Sequence, residues 1–112
     1  MAIIVDIDDT IVRNGDNPIQ KNIDYINSLG ERKIIITGRP DGDRARTVAM
    51  LKSIGFSYSR LMMNPYGSDK SGDWKREAAS KLTDIVLAID NDPKIRRIYN
   101  SLGLKTLDPA TI

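Results

Sequence analysis

The chain predicts an α/β fold of three layers, with a five-stranded parallel sheet between two layers of helices. Three observations carry this expectation. Uniformly apolar, β-branched runs such as Ala2-Ile3-Ile4-Val5 recur along the chain, and such runs mark strands buried on both faces. Stretches with helical periodicity separate them, and strands alternating with helices imply a parallel sheet. Each main apolar run then ends in a polar cluster, at the strand end where ligands bind in open α/β sheets.

In order, the first strand is expected over 2–7. Residues 8–17 read as a polar loop with Gly15, too short to hold a lid domain. Pro18 suits the first turn of a helix, whose face is Ile19, Ile23, Ile26 and Leu29, with Gly30 as its C-terminal cap. Lys33-Ile34-Ile35-Ile36-Thr37 is the second strand. A helix over 43–54 offers Ala45, Val48, Met50 and Leu51 for packing and closes at Gly55. Leu61-Met62-Met63 is a short third strand, and 73–82 is a helix. Ile85-Val86-Leu87-Ala88-Ile89 is the fourth strand, 93–102 a helix ending at Gly103, and 104–107 the last strand. The result is a Rossmann-like single domain over 1–112, capless, with right-handed crossovers and an open mouth.

Composition narrows the chemistry. The 112 residues fit one core. They include no Cys and no His, which removes thiol catalysis, disulfides, imidazole bases and the usual zinc sites. Carboxylates with a hard metal remain. The net charge of +2 is too mild to argue for nucleic-acid binding by itself and is compatible with a phosphorylated substrate. No apolar stretch approaches the roughly 20 residues of a membrane helix, and the start does not resemble a signal peptide. A cytoplasmic location is the expectation, and the oligomeric state is open.

Four polar clusters should meet on one rim: Asp6-Ile7-Asp8-Asp9-Thr10, Thr37-Gly38-Arg39, the helix start Asp73-Trp74-Lys75-Arg76, and Asp90-Asn91-Asp92. Asp6 and Asp90 can hold Mg²⁺, with waters completing an octahedron. The metal and Lys75 would neutralise a phosphoryl group. Thr37 offers a hydroxyl, and Gly38 lets the backbone approach and donate N–H. With no imidazole, one carboxylate must be nucleophile and another general acid: Asp6 on the metal stays ionised, and Asp8 off it carries a proton. Asp92 can cap the helix at Pro93, Trp74 fits core packing, and Arg44, Arg46, Arg96 and Arg97 read as surface charges.

With these motifs in this order, the chain resembles the haloacid dehalogenase (HAD) superfamily of Asp-dependent phosphatases over nearly its whole length. Asp6-Ile7-Asp8-Asp9-Thr10 resembles the first motif, Thr37 with Gly38 the second, Lys75 the third and Asp90 the fourth. Thr37-Gly38-Arg39, Leu61-Met62-Met63, residues 69–77, Leu87-Ala88-Ile89-Asp90 and the ending Ile98-Tyr99-Asn100-Ser101-Leu102-Gly103-Leu104 narrow the likeness to the 3′-phosphatase domain of phage-type polynucleotide kinases. The resemblance implies a HAD-like fold and a Mg²⁺-dependent phosphomonoesterase working through an aspartyl-phosphate. Asp6 would be the nucleophile and Asp8 the acid and then base. Asp6, the Asp8 carbonyl and Asp90 would hold the metal, with Asn91 standing where the family often has a second Asp. Thr37, Gly38 and Lys75 would stabilise phosphoryl charge, Thr10 would orient Asp8, and Asp9, Arg39 and Lys70 would lie near phosphate or substrate. The kinase loop G-x-x-x-x-G-K-[ST] is absent, so the chain corresponds to the phosphatase half. The implied substrate is a 3′-phosphorylated nucleic-acid end or nucleotide. A small-metabolite phosphatase and a catalytically silent binding module of the same fold are the alternatives.

Overall fold

A computed structural model describes residues 1–112. Five strands form one parallel sheet: β1 (Ala2–Val5), β4 (Arg32–Pro40), β5 (Arg60–Asn64), β6 (Ile85–Ile89) and β7 (Thr106–Leu107), in the order β5-β4-β1-β6-β7. Helices α1 (Gln20–Ser28) and α2 (Arg44–Ser53) cover one face; α3 (Ser71–Ser80) and α4 (Pro93–Ser101) cover the other. The expected three layers and five parallel strands are therefore present.

The two-residue period of a strand explains the two cores. In β1, Ile3 and Val5 face Ile23, Ile26 and Leu51, while Ala2 and Ile4 face Trp74, Ala78 and Tyr99. Both faces are covered, so every residue of β1 is buried. Each such Ile contributes about 1.5–3 kcal/mol through burial.

Several local expectations need correction. Residues 8–17 are not simply a loop: β2 (Val12–Arg13) and β3 (Asn17–Pro18) pair as an antiparallel hairpin. Its tip is sharp because Asn14, Gly15 and Asp16 all have positive φ. Pro18 pairs with Val12 in that hairpin and does not start the helix; a residue lacking N–H is tolerated at such an edge. Ile19 instead flanks the first turn of α1. Gly30 is no left-handed cap, because the helix already leaves through extended Leu29; Gly55 and Gly103 do adopt positive φ. In α2, Ala45 and Val48 are exposed and Thr47, Met50 and Leu51 are buried. Residues at i, i+3 and i+4 share a helix face, and Ala45 and Val48 lie off that stripe. Helix α3 begins at Ser71, two residues before Asp73.

The sheet order places a topological switch at β1. The chain leaves β1 toward β4 over one face and leaves β6 over the other. The ends of β1 and β6 therefore open a crevice that no connection crosses.

Candidate active site

The crevice is a cleft of about 430 Å³ lined by residues from all four polar clusters, including Asp6, Asp8, Gly38, Lys75, Asp90 and Asn91. The order of the strands does this. Asp6 follows β1, Asp90 follows β6, and Lys75 lies on α3, which packs over β4.

Lys75 is the centre of the floor. Its Nζ donates to Asp6 Oδ1 at 2.9 Å and to Asp90 Oδ2 at 2.6 Å. All three side chains are buried, at 5%, 7% and 1% exposure respectively. Burial opposes charge on Lys75, but Asp6 and Asp90 outweigh it and raise its pKa. Burial is also the leading influence on Asp6. It pushes that carboxyl up to about 7 although Lys75 pulls the other way, and Asp90 adds repulsion. Two carboxylates against one ammonium leave the floor short of positive charge.

Other bonds fix the same group. Thr10 Oγ1 donates to Asp6 Oδ2 at 3.2 Å, so Thr10 orients Asp6 and makes no such bond to Asp8. The Asp92 amide donates to Asp90 Oδ1 at 2.9 Å, and Asp92 itself caps α4 by accepting from Lys94 N–H. Arg96 donates to the Asp90 carbonyl at 2.9 Å and pairs with Asp108 at 3.6 Å, so it is a support of the site and no mere surface charge. Arg44, likewise, donates to the Leu61 carbonyl.

Asp8 belongs to a second, outer cluster. Arg39 grips its carboxylate with Nε at 3.0 Å and Nη2 at 2.8 Å, and Nη2 also reaches Asp16 Oδ1 at 2.6 Å. The bond to Asp8 is the chief cause of a raised Arg39 pKa. Arg39 is therefore already engaged, although its Nη1 is buried without a partner. Asp9 stands on the rim with φ 60°.

Thr37 is fully buried, and its hydroxyl accepts from the Arg39 N–H at 3.1 Å. Its carbonyl accepts from the Trp74 indole at 3.0 Å, which makes Trp74 a packing residue of the floor. Gly38 lines the cleft under Ser71: a Cβ there would lie 2.6 Å from Ser71 Oγ. Lys70 is not in the cleft. It ends the turn before α3 and lies in a separate hollow with Tyr66, Asp73 and Glu77, on the side where residues 73 and 77 project and away from residues 71 and 75.

Four contributors lacked a signal in the sequence. Asp16 falls in the expected polar loop and is not singled out there, Arg96 reads as a surface charge, and Ser71 lies outside the expected helix. Tyr99 is fully buried and its hydroxyl has no partner. Burial raises its pKa well above the usual phenol value, reinforced by the charges of Asp90 and then Asp6.

The oxygen donors suit a hard cation. No three carboxylates converge on one point; the arrangement is a mixed one. The end of the Asn91 side chain lies 3.0 Å from Asp6 Oδ2 and 3.1 Å from the Asp8 carbonyl oxygen. With nitrogen inward, Asn91 donates to both. The carboxylate and carbonyl oxygens are donors of the type a hard cation such as Mg²⁺ takes.

No family model matches the chain, and no curated protein matches it. One similar solved structure is a chain of the Pnkp1/Rnl/Hen1 RNA repair complex, with a TM-score of 0.77 and 20% identity over 96% of this chain. The present chain spans 41% of that one. At this identity the likeness establishes the shared fold. No helix is long and apolar enough to cross a membrane.

Proposed function

We propose that the protein is a Mg²⁺-dependent phosphomonoesterase of the HAD type that acts on 3′-phosphorylated nucleic-acid ends. The observation that carries this reading is the buried Lys75 ammonium held between Asp6 and Asp90 on the cleft floor. It joins a nucleophile candidate, a cation site and a fixed positive charge in one rigid group. The likeness to a chain of an RNA repair complex favours a nucleic-acid substrate over a small metabolite. So does the short hairpin that stands where a lid domain would sit.

Asp6, Asp90, the Asp8 carbonyl and Asn91 would hold the metal, which when bound supplies positive charge beside the phosphoryl oxygens. Asp6 attacks phosphorus in line, forming an Asp6–phosphate bond as the bond to the 3′-oxygen breaks. Asp8 gives its proton to that oxygen, so the product leaves as an alcohol. Water then attacks the phosphorus and passes a proton to Asp8; the Asp6–phosphorus link breaks and inorganic phosphate departs. Lys75 and the Gly38 amide offset charge on the phosphoryl oxygens, and loss of one such donor typically costs about 100–1,000-fold in rate. The Arg39–Asp8 pair must loosen for the proton to move. Asp8 is 57% exposed, and that position at the solvent boundary permits it.

The test is hydrolysis of p-nitrophenyl phosphate and of a 3′-phosphorylated oligonucleotide, with and without MgCl₂. Turnover of both that needs Mg²⁺ and vanishes in Asp6→Asn is expected. No release of phosphate from either ester overturns the proposal.

A further inference from the structure

A second groove, of about 470 Å³, adjoins the cleft and shares Asp9 and Asn91 with it. It lies on the β7 side, opposite Arg39, between the hairpin, the start of α1 and the segment after β7. Its size is in the range of small-ligand sites. Two contacts hold it open. Asn22 is buried at the groove wall and donates to the Thr10 carbonyl at 2.8 Å, tying α1 to the loop that carries Asp6 and Asp8. Asp108 caps the turn over Pro109–Thr111 through the Ala110 N–H at 3.0 Å.

Two cations face this groove, Arg13 from β2 and Lys21 from the first turn of α1. Both are exposed, and neither takes part in an ion pair. Two carboxylates face it as well. Asp108 is committed to Arg96 and to its own turn, so Asp9 alone stands against two free cations. Ile19, Pro109 and Ile112 add apolar wall. The hollow around Lys70 is a poorer candidate. It carries Asp73 and Glu77 against one Lys, and its Tyr66 hydroxyl is occupied by Glu77 at 2.7 Å.

We propose that this groove seats the nucleic-acid strand behind the reacting 3′-end, with Arg13 and Lys21 meeting the first internucleotide phosphate. This rests on the phosphomonoesterase reading and deepens it. The preferred substrate then carries a second, diester phosphate one nucleotide back from the 3′-phosphate, and a 3′-mononucleotide lacks half of the recognition. The sugar and base of the penultimate nucleotide lie against the apolar wall. Sequence preference is weak, since phosphate contacts position a strand without reading bases.

The experiment compares two dinucleotides bearing a 3′-phosphate, one with a natural linkage and one with an uncharged methylphosphonate linkage, beside p-nitrophenyl phosphate. In the unmodified protein, kcat/KM should be about tenfold higher for the charged linkage, as expected for charge-assisted contacts. In the double variant Arg13→Gln/Lys21→Gln that preference should collapse toward unity. The slope of log kcat/KM against log salt for a longer oligonucleotide should shrink by about one for each cation removed. The preference is an internal ratio, so a general loss of folded protein does not mimic its collapse. Equal rates on the two linkages by a protein that hydrolyses p-nitrophenyl phosphate overturn the groove assignment and leave the phosphatase reading intact. So does a preference that survives in the double variant. Failure to hydrolyse any of the three esters overturns both readings.

Discussion

Two charged clusters share the cleft, and they are built in opposite ways. Lys75 sits between Asp6 and Asp90 with all three side chains almost fully buried. Arg39 is itself only 10% exposed, but it sits between carboxylates that reach water, Asp8 at 57% exposure and Asp16 at 30%. The inner group cannot rearrange without stranding a charge in a low-dielectric floor. In the outer group the carboxylates keep contact with water, so Asp8 can leave Arg39 and be solvated at less cost than either inner carboxylate. The proposed chemistry needs both behaviours. A nucleophile must be held still, and an acid that gives and takes a proton must be free to change partner.

The comparison breaks most visibly at Lys75. Lys75→Met leaves two buried carboxylates facing each other and should cost roughly 3–5 kcal/mol, read as a lower midpoint in urea unfolding. Restored stability at acid pH, where one carboxyl takes a proton, would show that charge and not packing was lost.

Asp6→Asn should act in the opposite direction on stability while abolishing turnover. The folded chain holds the Asp6 proton up to about pH 7, against a usual carboxyl value of 3.8, chiefly because the group is buried. Between those values the folded state binds more protons than the unfolded one, so stability falls as pH rises. In metal-free buffer, Asp6→Asn should therefore melt above the unmodified protein near pH 7, with the gap closing toward pH 4. A constant gap across that range would count against burial as the source of the shift.

At the outer cluster, Arg39→Gln should cost about 1–2 kcal/mol, less than Lys75→Met because both carboxylates reach water, and the cost should shrink in high salt. A double-mutant cycle with Asp16→Asn measures the coupling directly, and a coupling as large as that of the inner group would erase the distinction between the two.

The smallest effect is expected at Tyr99. Its hydroxyl has no partner, so Tyr99→Phe removes a buried polar atom without breaking a bond. Stability should change by less than about 1 kcal/mol. A larger loss would reveal that the phenol steadies Asp90.

The strands were legible because burial on both sides makes them uniformly apolar, and the convergence of Asp6, Lys75 and Asp90 followed from parallel strand ends meeting one rim. What escaped was decided by contacts distant in sequence. Nothing in the local pattern of Asn14-Gly15-Asp16 announces that Asp16 will meet Arg39 from β4. Arg96 has the composition of a solvated helix face, yet the approach of α4 to β6 brings it onto the Asp90 carbonyl. Lys70 shows the converse: the family resemblance implies a place near the substrate, and its position just before α3 turns it into a separate hollow, away from Lys75. The face of α2 was misjudged at Ala45 and Val48 because both are apolar; the buried stripe runs instead through Thr47, a polar residue.

The indole of Trp74, the only tryptophan in the chain, hangs from the Thr37 carbonyl one residue away from Lys75. The molecule therefore carries its own optical reporter. Emission from a single fluorophore fastened to the cleft floor can follow phosphate or oligonucleotide occupancy in a stopped-flow cell, with no dye attached and no second signal to subtract.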